Sequence, residues 1–249
     1  MRLIENARSW LTAGAAMMAL AGAASAEPAS APKSGVQLTE ADVTASNEKL
    51  ADAYPALVQM WTDQLAGIGR RFVAPRLVRY RGGARTACGL MGSGNAGYCS
   101  NANTIYYDEV FVARQEKTAG ARLGTDGDMA GIGIIAHEMG HAVAMQLGDS
   151  FRNSYDNEST ADCLAGAFAK QAQRDGSLEN GDLDEAFFGM AAAGDPAVEL
   201  TGNPRVDNRI KARYIRVAHG TSEQRTANFK SGFDVGPSAC LSEFTARTR

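Results

Sequence analysis

The residues best suited to chemistry are two histidines that flank a glutamate in the segment Ile135–Val143, IAHEMGHAV. On a helix, side chains at i and i+4 lie on one face about a turn apart, so His137 and His141 can bind one metal ion together. Glu138 projects in an adjacent direction and can lie beside an open coordination position. Because zinc lowers the pKa of bound water and a nearby carboxylate can accept the proton, this spacing predicts a zinc-dependent hydrolase.

A second acidic motif follows on the next predicted helix. Catalytic zinc usually has three protein ligands and one water, and Glu158 lies far enough after His141 for the chain to turn and return antiparallel. Asp162 comes one helical turn later and can accept a hydrogen bond from the outer nitrogen of a ligand histidine. Such acidic pairs also occur on solvated helix faces. The apolar segment 164–168 favours the buried interpretation, with Glu158 as the third ligand and Asp162 supporting it.

The remaining histidine, His219, precedes a predicted helix that begins at Thr221, with Gln224 at capping-box spacing. Under one hypothesis His219 lies near the metal and donates a hydrogen bond to the oxyanion that forms during hydrolysis. Under the other it is only a neighbour of the helix cap. The sequence leaves both interpretations open.

The four cysteines are predicted to form two structural disulfides. Four cysteines permit three pairings. Cys88 and Cys99 enclose a short Gly-rich loop that cannot pack a core of its own, so a local cross-link is favoured there. This leaves Cys163 with Cys240, which would join a central helix to the C-terminal region. No closely spaced cysteine pairs of the zinc-ribbon type occur.

Residues 1–26 are predicted to be a signal peptide. Basic residues flank a start rich in small apolar residues, and Ala24-Ser25-Ala26 has the small-x-small pattern of a cleavage site. The apolar run is short and consists mostly of Ala and Gly, so stable membrane insertion after cleavage is not expected. We therefore expect a periplasmic or secreted protein. The formal net charge is −3, and no basic run is interleaved with aromatic residues, so nucleic acid is not an expected partner.

The elements that position these residues are predicted to be short strands followed by helices, which indicates an α+β fold. Residues 27–45 are predicted to be a linker or flexible segment, and residues 46–249 one metallopeptidase domain. Apolar residues at three- and four-residue steps, including Trp61, predict a first helix from Leu38 to about Ala66. The remaining predictions are strands at 72–80 and 104–107, a buried helix at 129–147, and further helices at 158–173, 183–192, 204–217 and 222–231.

Over about residues 56–241 the sequence resembles the bacterial neutral zinc metallopeptidases, minimal relatives of gluzincins such as thermolysin. The resemblance implies that His137, His141 and Glu158 bind zinc and that Glu138 is the general base, and the cysteine pairing also looks like that of the family. Two departures are Ala142, where members often have a histidine, and an N-terminus that looks cleavable where many members are anchored. The motifs are Val58-x-x-Trp61, Gly69–Phe72, Thr86–Gly89, Tyr98-Cys99, Ile105–Asp108, Ala136–His141, Glu158–Gly166 and His219–Arg225.

Two functions follow as hypotheses. The first is a zinc endopeptidase in which the strand formed by Thr104, Ile105, Tyr106 and Tyr107 lies at the edge of the cleft and pairs with an extended peptide or unfolded protein. The second is a zinc-stabilised binding or scaffold protein of the cell envelope without turnover. Glu138 favours the first hypothesis, because a purely structural zinc site does not need a carboxylate beside its ligands.

Overall fold

The computed structural model describes residues 36–149, 153–196 and 198–244. Within these ranges the protein is α+β and mostly helical, as predicted. The seven helices of the described ranges are α1 (Glu40–Gly67), α2 (Glu109–Leu123), α3 (Asp128–Leu147), α4 (Ser154–Arg174), α5 (Asp182–Ala192), α6 (Pro204–Val217) and α7 (Ser222–Val235).

The strands form one small sheet and one separate hairpin. The sheet has the order β1-β5-β4, with β1 parallel and β4 antiparallel to β5, while β2 and β3 pair only with each other. The prediction of strands near 72–80 and 104–107 is correct, but β2, β3 and β4 were not predicted. The strands are β1 (Arg76–Tyr80), β2 (Gly83–Thr86), β3 (Gly89–Gly92), β4 (Ala96–Cys99) and β5 (Thr104–Asp108).

Helix α1 begins at a capping box in which the Thr39 hydroxyl accepts a hydrogen bond from the Asp42 N–H and the Asp42 carboxylate accepts one from Thr39. The helix therefore includes residues 40–45, which corrects the predicted linker boundary at residue 45. Most of its predicted apolar stripe is buried, with Trp61 fully enclosed, while Tyr54 and Val58 are half-buried. The predicted signal peptide and the first part of the linker lie outside the described residues.

Helix α3 is the central element, in contact with α1, α2, α4 and α5. A helix that is apolar on most sides must be buried on most sides, and this one buries large residues such as Met139 and Val143. Small residues let its neighbours approach: a Cβ on Gly140 would lie 2.9 Å from the Ala161 backbone in α4. The close approach brings the motif residues of α3 and α4 to one shared face.

Helices α4 and α7 are packed backbone to backbone through two glycines. A Cβ on Gly166 would lie 1.9 Å from the Phe229 carbonyl oxygen, and one on Gly232 would lie 1.7 Å from that of Cys163. The Cys163–Cys240 disulfide joins α4 to the segment that follows α7. This packing places the second half of α7 against the middle of α4.

The disulfides in the structure are Cys88–Cys99 and Cys163–Cys240, the pairing that the loop lengths favoured. The first fastens the tip of the β2–β3 hairpin to the end of β4. None of the helices in the described ranges combines the length and apolarity needed to cross a bilayer.

Candidate metal centre

Three of the predicted site residues converge on one point. The Nε2 atoms of His137 and His141 are 3.1 Å apart, and those atoms lie 3.1 Å and 3.6 Å from the two carboxylate oxygens of Glu158. The side chains are largely buried, with exposed fractions of 8%, 13% and 12% respectively. Helix α3 supplies the imidazoles and α4 the carboxylate, so two packed helices hold the donor set.

The donor set fits a zinc ion. Tetrahedral zinc with ligands at about 2.0–2.1 Å requires donor atoms about 3.3 Å apart. The observed separations of 3.1–3.6 Å bracket this value. Two imidazoles and one carboxylate are also the ligand chemistry of catalytic zinc sites, which keep a fourth position for water.

The outer nitrogens of both histidines have partners of their own. The Asp162 carboxylate lies 2.8 Å from Nδ1 of His137, and the Asn157 side-chain oxygen lies 3.0 Å from Nδ1 of His141. Acceptors at Nδ1 place the proton there and leave each Nε2 lone pair free for a metal. Asp162 therefore occupies the position predicted for it, whereas the contact of Asn157 was not predicted.

A buried arginine fixes Asp162 in turn. Arg225, only 5% exposed, donates from Nε and one terminal nitrogen to both Asp162 oxygens, over 3.1 Å and 2.6 Å. Its other terminal nitrogen donates to the carbonyl oxygen of Ala193. Because hydrogen bonds hold the guanidinium on both sides, it orients the Asp162 carboxylate and, through it, the His137 ring. Arg225 ends the last of the family-like motifs, but the sequence did not indicate its partner.

The electrostatics of the triad place an ionised carboxylate beside a positive charge. Burial disfavours charge on His137, but its hydrogen bonds to Asp162 and Glu158 prevail and raise its pKa. Burial and the charge on His137 lower the pKa of His141. Burial also opposes ionisation of Glu158, yet its hydrogen bond to His137 and the charge there lower its pKa to about 2. Glu158 is thus an ionised carboxylate in a buried site that needs positive charge beside it.

Glu138 lies beside the triad without belonging to it. It is 7% exposed and lines the cleft with the two histidines. One of its oxygens, Oε2, accepts a 2.8 Å hydrogen bond from the backbone N–H of Tyr98 in β4. This bond holds the carboxylate away from the donor set and toward the space in front of it.

A cleft of about 550 Å³ opens in front of these residues. One wall is formed by β4 and the residues around it, and the opposite side by α5 and the segment that leads to α7. Apolar side chains including Phe111, Ile134 and Met190 line it together with the polar residues of the centre. The volume suits a few residues of a bound peptide.

His219 reaches the rim of this cleft. Its side chain is 57% exposed, and its Nδ1 lies 3.4 Å from Oδ1 of Asp195. The other Asp195 oxygen accepts hydrogen bonds from the backbone N–H groups of His219 and Gly220. Asp195 therefore orients both the ring and the backbone at this position. It was not predicted, because an isolated aspartate in an irregular segment has no pattern to distinguish it.

The predicted substrate strand needs correction. Thr104, Ile105, Tyr106 and Tyr107 do form a strand, but this strand, β5, is central in its sheet, so both sides of its backbone are paired. Tyr107 also donates its hydroxyl to Asn47 of α1, away from the cleft. The strand at the cleft is β4, which has β5 on one side and the metal centre on the other.

Comparisons with known proteins agree with this geometry. Residues 10–244 match the family described as "Putative neutral zinc metallopeptidase". Two relatives, each called "Uncharacterized protein YpfJ", come from Escherichia coli strain K12 and from E. coli O6:H1 strain CFT073. Each is 36% identical over 198 residues, a match that covers 72% of this chain and 65% of the relative.

The chain thus spans less than two thirds of the length of these relatives. No solved structure matches it. The family match, by contrast, extends over nearly all of the sequence and includes every residue of the metal centre. The chain belongs to the neutral zinc metallopeptidase family.

Proposed function

We propose that the protein is a zinc-dependent endopeptidase. His137, His141 and Glu158 would hold the ion, and Glu138 would act as the general base. The observation that carries the proposal is the placement of four side chains: three donor groups whose facing atoms lie 3.1–3.6 Å apart, and one carboxylate anchored beside them but outside the set. A structural site has no use for the fourth group, whereas hydrolysis requires it.

When bound, zinc would polarise the peptide carbonyl and lower the pKa of an attacking water. The protein's own residues do the remaining work. Oε2 of Glu138 is held by the Tyr98 N–H, which leaves Oε1 to take a proton from the water and pass it to the leaving nitrogen. Asp162 and Arg225 keep the His137 ring oriented throughout the cycle.

The substrate we propose is an extended peptide or unfolded protein segment bound along β4. Residues of an antiparallel strand alternate in the direction of their backbone groups. The Asn95 carbonyl oxygen accepts a hydrogen bond from the Asp108 N–H on the β5 side. Ala96 and Tyr98 therefore direct their backbone N–H and C=O groups the other way, into the cleft. Because Glu138 takes the Tyr98 N–H, the Ala96 N–H and the carbonyls of Ala96 and Tyr98 are left to pair with a peptide.

A digest of a peptide library, before and after metal removal, tests the proposal. The purified protein should contain about one zinc per chain and cleave internal bonds of unfolded peptides. Chelation should abolish cleavage, and stoichiometric zinc should restore it. A chain that retains zinc but cleaves no peptide in the library would instead be the zinc-stabilised binding protein. A chain that takes up no zinc would overturn both functions.

His219 supplies a separate prediction. We expect His219→Ala to lower kcat by about 10²-fold with little change in KM, because a donor to the developing oxyanion acts mainly in the transition state. Asp195→Asn should give a smaller loss, since it only loosens the ring. Zinc content should stay at the wild-type level in both variants. An unchanged kcat for His219→Ala would leave this residue with the structural role alone.

We also propose export to the periplasm or the exterior, with residues 1–26 as the signal peptide. The two disulfides support this location, because disulfides persist in oxidising compartments. The catalytic domain would then begin with α1 at Glu40.

A further inference from the structure

We propose that helix α6 is a surface by which the protein adsorbs to an anionic lipid bilayer. This inference is independent of the peptidase proposal. The helix contains Arg205, Arg209, Arg213 and Arg216, which follow one another at steps of four, four and three residues. Residues at such steps lie on one side of a helix, so these side chains form a row about 16 Å long, the arginine stripe. Adsorption of this kind leaves the helix at the surface and needs no spanning segment.

The arginine stripe faces solvent and is not neutralised by the protein. All four of its residues are exposed. Among the described residues, no carboxylate forms an ion pair with any of them, whereas Arg81 is paired with Glu40 and Glu109, and Arg225 with Asp162. Because the protein offers the stripe no internal counter-charge, its positive charge remains available to an external anion.

Positive charge is concentrated on this one helix of an acidic protein. Five basic residues against one acidic residue give α6 a net charge of +4, whereas the whole chain has a formal net charge of −3. The acidic residue is Asp207, whose carboxylate accepts hydrogen bonds from the backbone N–H groups of Thr201 and Gly202 and so holds the loop before the helix. Such a separation of charge directs the helix toward a negative surface and the rest of the protein away from it.

Helix α6 lies on the outside of the protein. None of its 14 residues, all of which the structure describes, is buried. Val206, Ile210 and Tyr214 are half-buried at steps of four residues and define the inner side of the helix, which contacts α4. A helix turns by about 100° per residue, so the arginine stripe lies along the flank of this inner side. Core packing therefore accounts for the apolar residues of α6 but not for its arginines.

The shape of this surface favours a bilayer over a small ligand. Neither the active-site cleft nor the cavity of about 420 Å³ beside α1 is lined by a residue of α6, so the stripe is a convex flank that fits a flat array of phosphate groups. Exposed apolar side chains lie close by in the sequence: Ile215 and Val217 on either side of Arg216, and Leu200 before the helix. Arginines that bind headgroups, together with apolar side chains that enter the boundary of the acyl chains, are typical of helices that lie on membranes.

Co-sedimentation with vesicles tests this surface, and its readout is bound protein rather than hydrolysis. Vesicles of phosphatidylcholine with about one third phosphatidylglycerol should bind the protein at least about tenfold more tightly than vesicles of phosphatidylcholine alone. Replacing Arg205 and Arg213 together by Gln should weaken this binding by about thirtyfold. Joint Arg114→Gln and Arg122→Gln, which removes two exposed arginines at the same spacing from α2, is the matched control and should bind like wild type.

Joint Arg205→Lys and Arg213→Lys guards against a loss of binding that reflects a damaged fold. This variant keeps the charge and should retain most of the binding, and the unfolding midpoints of all variants should match that of wild type because the positions are exposed. Equal binding to the two kinds of vesicle, or none to either, would overturn the proposal. So would equal weakening in the α2 control, which would indicate only an effect of net charge. If polyglutamate at the same concentration of negative charge bound more tightly than the vesicles, the stripe would be a site for acidic polypeptides instead. The peptidase assignment would stand in each case.

Discussion

Replacing Glu138 with Gln should lower kcat/KM for peptide hydrolysis by about 10²–10⁴-fold while the zinc content stays at the wild-type level. Gln keeps the shape of the side chain and an oxygen that can accept the Tyr98 N–H, so the anchor in β4 survives. What it loses is the basicity needed to remove a proton from water. The metal is unaffected because Glu138 lies outside the three donors.

The measurement is turnover of one unfolded peptide substrate, with zinc determined on the same samples. Glu48→Gln, which removes the same charge from an exposed position on α1, should retain wild-type activity. If Glu138→Gln turned the peptide over at the wild-type rate, another group would have to be the base. If it lost zinc as well, Glu138 would be part of the metal site rather than its neighbour.

The second large effect is expected at Gly232, where α7 meets α4. A Cβ there would lie 1.7 Å from the Cys163 carbonyl oxygen, so Gly232→Ala forces two backbones apart. Overpacking against rigid backbone should cost about 3 kcal/mol of the free energy of unfolding. For a chain of this size this corresponds to a fall of about 6–12 °C in the unfolding midpoint.

Gly133→Ala is the control for this prediction. Gly133 is also helical, but its nearest neighbour would be the terminal methyl of Met190 at an ordinary 3.7 Å. Alanine favours helix more than glycine does, so this variant should be neutral or more stable by up to about 1 kcal/mol. Equal unfolding midpoints for the two variants would mean that α4 and α7 are not packed as closely as described.

Much of the fold was predictable because local patterns determine it. The helical periodicity around Trp61, the apolar length of α3 and the capping box at Thr221 all depend on neighbouring residues, and the structure confirms each of them. The strands within the Gly-rich segment 83–99 were not predicted from the sequence. Glycines have no side chains to alternate between buried and exposed positions, so the hairpin left no period-2 signal.

The order of the strands in the sheet could not be predicted from the sequence, for a different reason. Whether the strand at 104–107 lies at the edge or in the centre of the sheet depends on where β1 and β4 pair. Strand β1 pairs with it in parallel, and a long stretch of chain separates the two strands. The three candidate metal donors could be identified from the sequence because their chemistry resides in side-chain type and spacing. The anchor of Glu138 was not, because it is a backbone N–H, at Tyr98, and every residue but proline has one.

The spacing of the centre along the chain has a consequence for biosynthesis. The donor triad lies between His137 and Glu158, but Arg225, which fixes Asp162, comes from α7, 63 positions after Asp162. Because a polypeptide emerges from its N-terminus, a growing chain contains all three metal donors well before it contains the far wall of the cleft. Ion capture can therefore precede full alignment of His137. Under the proposed function, hydrolytic competence would be acquired only once α7 has been added.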